Sequence, residues 1–285
     1  MRDKLREKIT IFSELVMFKH SIFSLPFIFI AMFVAAKGWF GMTLFVLGAL
    51  AAITARNFAM GVNRYLDRDI DILNARTKHR PSVDGRVSER QMIGFIFINA
   101  FLFVLVALFV NDLALKLSLP ILLVLGGYTV FKRFSSLAHI VLGISLGLAP
   151  IAGVVAVSGE ITLWSLFLAG GVMFWVDGFD LLYSLQDMEF DKEQGLHSIP
   201  SKFGAEKTMW IARVFHLLAI LLWGMFVSVA DLGIWAYMAV LTSMFMLGYE
   251  HYLVSKDFTK IDKAFFTVNG YLGFIFILFI MIEVL

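Results

Sequence analysis

Nine stretches of about 20 mostly apolar residues alternate with shorter polar breaks along the chain, each long enough to cross a bilayer as a helix. They run over Ile11 to Ala36, Phe40 to Leu66, Gln91 to Val110, Leu113 to Phe131, Leu137 to Val157, Ile161 to Gln186, Met209 to Ala230, Gly233 to Val254 and Ala264 to Leu285. The runs are continuous instead of alternating at every second position, which excludes a membrane β-barrel and predicts an all-α integral membrane protein. No small-residue cleavage site follows the first run, so it is read as retained. No Gly/Ser-rich or Pro-rich linker divides the chain, and residues 1–285 are read as a single domain.

Composition agrees with that pattern. Hydrophobic residues make up 60% of the 285 positions, charged residues 16%, and there are 30 phenylalanines, a balance that no ordinary soluble domain carries. There is no cysteine, so disulfide and thiol chemistry are excluded, and with few histidines zinc is disfavoured. The basic residues fall in every second break. Arg2, Lys4, Arg6, Lys8 and Lys19 are followed by Arg68, Arg76, Lys78, Arg80, Arg86 and Arg90, then by Lys132 and Arg133, by Lys192, Lys202 and Lys207, and by Lys256, Lys260 and Lys263. The intervening breaks keep Lys37 and Lys116. By the positive-inside rule this predicts a multi-pass membrane protein with a cytoplasmic amino terminus and an odd number of spans. The net charge of +2 is then a topological signal, and no separate basic patch points to nucleic acid.

Two acidic clusters share the predicted cytoplasmic side. Asn63, Asp67 and Asp71 end the second span, and Asp180, Tyr183, Asp187 and Asp191 end the sixth, with Asp67 and Asp71 lying 120 residues before Asp187 and Asp191. A four-residue step on a helix puts side chains on one face, so each pair predicts a stripe of oxygen ligands for a hard cation such as Mg²⁺. Each also opens one of the two long inner loops, about Asp67 to Arg90 and Asp187 to Lys207. The repetition implies two halves of about four helices around a shared central cavity.

Basic residues near the acids indicate what the cavity holds. Arg76 and Arg80 follow the first cluster, and Tyr128 and Lys132 end the fourth span. Divalent metal, carboxylates and several cations together suit a diphosphate, and a membrane setting gives that diphosphate a lipid tail. Arg56 precedes Asn63 by seven residues, deep in the second span, where a charge requires an anionic partner. Either a neighbouring helix supplies that partner or a substrate carboxylate does.

The runs NRYLDRDID (Asn63 to Asp71), YTVFK (Tyr128 to Lys132) and DLLYSLQDMEFD (Asp180 to Asp191) resemble the signature motifs of the UbiA superfamily of intramembrane prenyltransferases. The resemblance extends over nearly the whole chain. It implies nine transmembrane helices around a central cavity open sideways to lipid and capped by the two long loops. It also implies transfer of a polyprenyl group from its diphosphate to an aromatic or related acceptor. By motif position, Asn63, Asp67 and Asp71 would hold one Mg²⁺ and Asp187 and Asp191 another, with Asp180 assisting at the second site. Lys132, Arg76 and Arg80 would hold the diphosphate, and Arg56 with Tyr128 would line the acceptor pocket. Tyr183 and His197 have no firm role, since a packing tyrosine and a loop histidine explain them equally well.

KHSIFSLPF (Lys19 to Phe27) and GLHSIPSKFG (Gly195 to Gly204) resemble a subgroup linked to menaquinone made by the futalosine route, whose acceptor is a dihydroxynaphthoate. The 4-hydroxybenzoate enzymes of ubiquinone synthesis are the other candidate, and both acceptors carry a carboxylate. Outside this family, a membrane cation or lipid transporter would also place acids and bases together in a membrane, and a structural scaffold would leave them without chemistry.

Overall fold

The computed structural model describes residues 2–17 and 25–285. The chain folds as α1 (Arg2–Leu15), α2 (Leu25–Ala36), α3 (Met42–Leu66), α4 (Arg68–Asp71), α5 (Glu89–Val110), α6 (Asp112–Gly127), a 3₁₀ turn (Tyr128–Arg133), α7 (Ala138–Ser158), α8 (Leu163–Ser184), α9 (Met188–Glu193), α10 (Ile199–Val229), α11 (Ile234–Lys256), α12 (Ile261–Lys263), a π-helical turn (Ala264–Asn269) and α13 (Gly270–Val284). Among the described residues there is no strand, and seven helices are long and apolar enough to cross a membrane.

Two of the nine predicted spans differ from those seven. The run from Ile11 to Ala36 is not one helix: α1 is amphipathic and separate, and α2 is only 12 residues long. Ile11, Phe12 and Leu15 of α1 pack against Tyr65, Val87 and Met92, so their apolar character serves a surface cluster and not a span. Most of the Lys19 to Phe27 run lies outside the described residues. The other exception is α11, which has the length of a span but carries Glu250, His251 and Lys256 in its last turns.

The two predicted cap loops hold more helix than their sequence implies. After Asp187 the chain forms α9, and α10 already begins at Ile199, with a reciprocal cap between Ser198 and Ser201 and Pro200 in its first turn. Gly204, at φ 78° and ψ 170°, then kinks the helix and separates its first turn from the long segment that follows. In the other loop Ser88 and Gln91 cap each other at the start of α5. The fourth predicted span gives up its helix at Gly127, where the 3₁₀ turn carries Tyr128 and Lys132.

Aromatic packing ties the second half together. Phe27 of α2 stacks on Trp223 of α10 at 5.5 Å and meets Trp175 of α8 at 5.1 Å, while Phe276 of α13 meets Trp223 edge-on at 5.2 Å. With lipid outside, such contact and close backbone approach hold helices together. Gly171 allows it between α8 and α10, since a Cβ there would lie 2.3 Å from the Trp223 ring.

Candidate functional site

Both acidic motifs are built on the same local break. The long helix α3 stops at Asp67 (φ −91°, ψ 5°) and α4 begins, while the chain after α8 turns at Asp187 (φ −100°, ψ 2°) and α9 begins. Such bridge-region dihedrals interrupt the helix without reversing the chain. The Asp71 N–H donates to the Asp67 carbonyl at 2.7 Å, so the four-residue step survives the break. The acids therefore lie at helix junctions and not along one uninterrupted stripe, which turns them inward at the bundle end.

A cavity of about 340 Å³ opens there, lined by every residue the sequence singled out in the two clusters and around them. At its first wall, the Lys132 ammonium lies 2.5 Å from Asp67 Oδ2, and the Asn63 side-chain amide donates to the same oxygen at 2.9 Å. Asp67 is 2% exposed; burial pushes its carboxyl above the usual carboxylate range and Lys132 pulls it back. Arg80 Nη1 bonds both oxygens of Asp71, at 2.7 and 2.8 Å. At the opposite wall, the Arg76 guanidinium forks onto both oxygens of Asp187, with Nε to Oδ1 at 3.1 Å, and its Nη1 donates to the Tyr183 hydroxyl at 3.2 Å. Asp191 lines the cavity from α9.

Among the described residues, no three of the His, Asp and Glu side chains converge on one point as a ready cation site. Three of the four metal-position acids are instead turned onto basic partners. Yet the donor set is all oxygen, as a hard cation requires, and Asp67 Oδ1 is buried with no hydrogen-bond partner. By the chemistry of their donors these residues fit a Mg²⁺ ion.

Lower in the cavity lies Arg56, where its Nη2 reaches the Met17 carbonyl at 3.4 Å and its Nε is buried without a partner. No described acid pairs with it. Arg56 and Tyr128 also border an adjoining, mostly apolar chamber lined by Ala52, Phe103, Leu125 and Leu146. Such a wall suits a hydrocarbon tail or a ring.

Several cavity residues escaped the sequence reading. Asn74 donates to Asp187 Oδ1 at 3.1 Å, Arg64 is buried and donates to Asn63 Oδ1 at 2.8 Å, and His139 Nδ1 lies 2.7 Å from Asp180 Oδ2. Arg64 had a visible signal, a second arginine beside Asn63; His139, at the start of an ordinary apolar span, had none. Arg133 points elsewhere, forking onto Asp69 at 2.9 and 2.7 Å, and so fastens the 3₁₀ turn to α4. His197 lines the cavity, and its backbone N–H donates to the Lys132 carbonyl at 2.9 Å, joining the second cap loop to the 3₁₀ turn.

The UbiA prenyltransferase family matches residues 24–280. The 4-hydroxybenzoate octaprenyltransferase of Paracidovorax citrulli (strain AAC00-1) is 30% identical over 246 residues, covering 86% of this chain and 82% of the relative. That of Vesicomyosocius okutanii subsp. Calyptogena okutanii (strain HA) is 25% identical over 254 residues, covering 89% and 93%. The apo structure of a UbiA homolog from Aeropyrum pernix K1 superposes with a TM-score of 0.84 at 29% identity, over 92% of this chain and 97% of that one. A UbiA homolog from Archaeoglobus fulgidus, bound to DMAPP and Mg²⁺, shares the fold with a TM-score of 0.73 at 18% identity, over 93% and 98%. With its helical membrane fold and its acid-lined cavity, this chain belongs to the UbiA prenyltransferase family and is a prenyltransferase.

Proposed function

We propose that this protein transfers a polyprenyl group from polyprenyl diphosphate to an aromatic carboxylic acid of the 4-hydroxybenzoate or 1,4-dihydroxy-6-naphthoate type, as a step in ubiquinone or menaquinone synthesis. The observation that carries this reading is the vertical order of one cavity. Acids and their basic partners Lys132, Arg80 and Arg76 sit at its mouth, and below them, beside an apolar chamber, sits an arginine that no described acid pairs with and whose Nε is buried without a hydrogen bond. The names of the curated relatives support the aromatic acceptor, and the Archaeoglobus neighbour bound to DMAPP and Mg²⁺ supports the donor and the metal.

In this reading Asn63, Asp67 and Asp71 hold one Mg²⁺ and Asp187 and Asp191 a second, and the metal supplies Lewis-acid stabilisation of the leaving diphosphate. Lys132, Arg80 and Arg76 exchange their carboxylates for diphosphate oxygens, which neutralises the charge that builds as the allylic C–O bond ionises. Arg56 receives the acceptor carboxylate with its fork, and Tyr128 borders the ring. The apolar chamber takes the tail and keeps out water, which would otherwise capture the allylic cation. The mouth faces the cytoplasm of a bacterial inner membrane, on the distribution of basic residues.

Purified protein supplied with Mg²⁺, a polyprenyl diphosphate and labelled 4-hydroxybenzoate or 1,4-dihydroxy-6-naphthoate should release diphosphate and form a lipid-soluble product. The preferred acceptor of the pair assigns the pathway. No product with either acid, together with ion flux in reconstituted vesicles, would favour the transporter.

A further inference from the structure

The acids of the cavity divide by partner. Asp67 is held by Lys132, Asp71 by Arg80 and Asp187 by Arg76. Asp180 is held instead by an imidazole, with His139 Nδ1 at 2.7 Å from its Oδ2. With Asp180 ionised, the bond runs from the Nδ1–H to the carboxylate and leaves Oδ1 for another partner. His139 is buried at the start of α7 and reaches Asp180 across the packed α7–α8 contact, so the carboxylate has a fixed orientation.

Depth separates Asp180 from the other acids as well. It precedes Asp187 by seven residues, on the order of 10 Å at about 1.5 Å per residue, while Arg56 precedes Asp67 by eleven, on the order of 16 Å. Asp180 thus lies between the level that would bind diphosphate and the level that would bind the acceptor carboxylate. The allylic carbon and the ring carbon must meet there. Asp191 stands on α9, beyond Asp187, at the mouth.

We propose that Asp180, oriented by its hydrogen bond from His139, takes the ring proton released when the acceptor is alkylated. This rests on the prenyl-transfer reading above. The allylic C–O bond breaks with its electron pair leaving on diphosphate, and a ring π pair forms the new C–C bond. The C–H pair then restores aromaticity as the proton passes to Asp180. Asp180 is the catalytic residue of this step and His139 its positioning residue.

The test uses acceptor deuterated at the ring position that becomes prenylated, with the full-length protein. Asp180→Asn should lower product formation about a hundredfold, the usual scale for loss of a general base, and should expose a primary deuterium isotope effect that the parent enzyme lacks. KM for prenyl diphosphate and the Mg²⁺ requirement should stay unchanged. His139→Gln should show the same isotope effect with a smaller loss of rate, and Asp180→Glu should recover part of the rate. Parental turnover in Asp180→Asn overturns the assignment, as does a raised Mg²⁺ requirement without an isotope effect, which would make Asp180 a metal ligand. If Asp180→Asn does not fold, His139→Gln decides: no isotope effect there overturns the proposal. A parent enzyme that prenylates no aromatic acid refutes the underlying reading, an outcome distinct from all of these.

Discussion

The junction between α3 and α4 and the junction between α8 and α9 have nearly the same backbone and different surroundings. Both turn at an aspartate in the bridge region and place a second aspartate four residues on. At the first, Asp67 and Asp71 are 2% and 4% exposed; at the second, the Asp187 side chain is 18% exposed. The first pair takes its cations from the turn after α6 and from its own loop, while Asp187 takes Arg76 and Asn74 from the loop of the other half. Beneath the first junction lies an arginine with no described acid as partner, and beneath the second a carboxylate bonded to histidine. A duplicated frame has thus been filled with unlike side chains, as two different substrates meeting in one cavity require.

The largest expected effect tests what the two junctions share. Asp67→Asn and Asp187→Asn should each lower turnover by about 10²- to 10³-fold, because each removes negative charge from a proposed metal position while keeping the side-chain shape. Diphosphate release would measure the loss, and circular dichroism would show whether the helices remain. Near-normal turnover in either variant would leave that junction without a metal role.

A smaller and more selective effect tests where the junctions differ. Arg56→Ala should raise KM for the aromatic acid by about 10- to 100-fold, the worth of a hydrogen bond to a charged group, and leave KM for prenyl diphosphate unchanged. Asp180→Asn, in the other half and between the levels of the two substrate charges, should act on turnover and not on KM. Steady-state kinetics with each substrate varied in turn separates the two outcomes. If Arg56→Ala weakened both substrates alike, the cavity would have no vertical order.

Much of this organisation was legible in the sequence because it depends on strong signals. Apolar runs long enough for a bilayer located most helices, and the repeated four-residue acidic step located both junctions. What escaped depends on tertiary context. The run from Ile11 to Ala36 is mostly apolar in spite of Glu14, Lys19 and His20, and nothing in its composition shows that Ile11, Phe12 and Leu15 pack on Tyr65, Val87 and Met92 instead of on lipid. The acids and bases were visible as neighbours in type. Their pairing was not, since Arg76 reaches Asp187 across 111 positions and Lys132 reaches Asp67 across 65. His139 was invisible for the same reason, because its significance lies entirely in a contact with Asp180.

The smallest effect bears on how the halves are joined. Arg76→Lys keeps the positive charge but loses the fork that grips both oxygens of Asp187 and the bond to the Tyr183 hydroxyl. The Arg76 side chain is 34% exposed, so solvent screens part of the interaction, and KM for prenyl diphosphate should rise about fivefold, the equivalent of ~1 kcal/mol. Arg76 belongs to the first loop and its carboxylate to the second junction, which makes the pair a measure of coupling between halves. Combined with Asp187→Asn, Arg76→Lys should add little, because its partner is already altered. Combined with Asp71→Asn, where the two side chains share no bond, the effects should add more nearly in full. Additivity in both combinations would mean that each half binds the diphosphate independently, and the crossed contact would then serve only to fasten the cap.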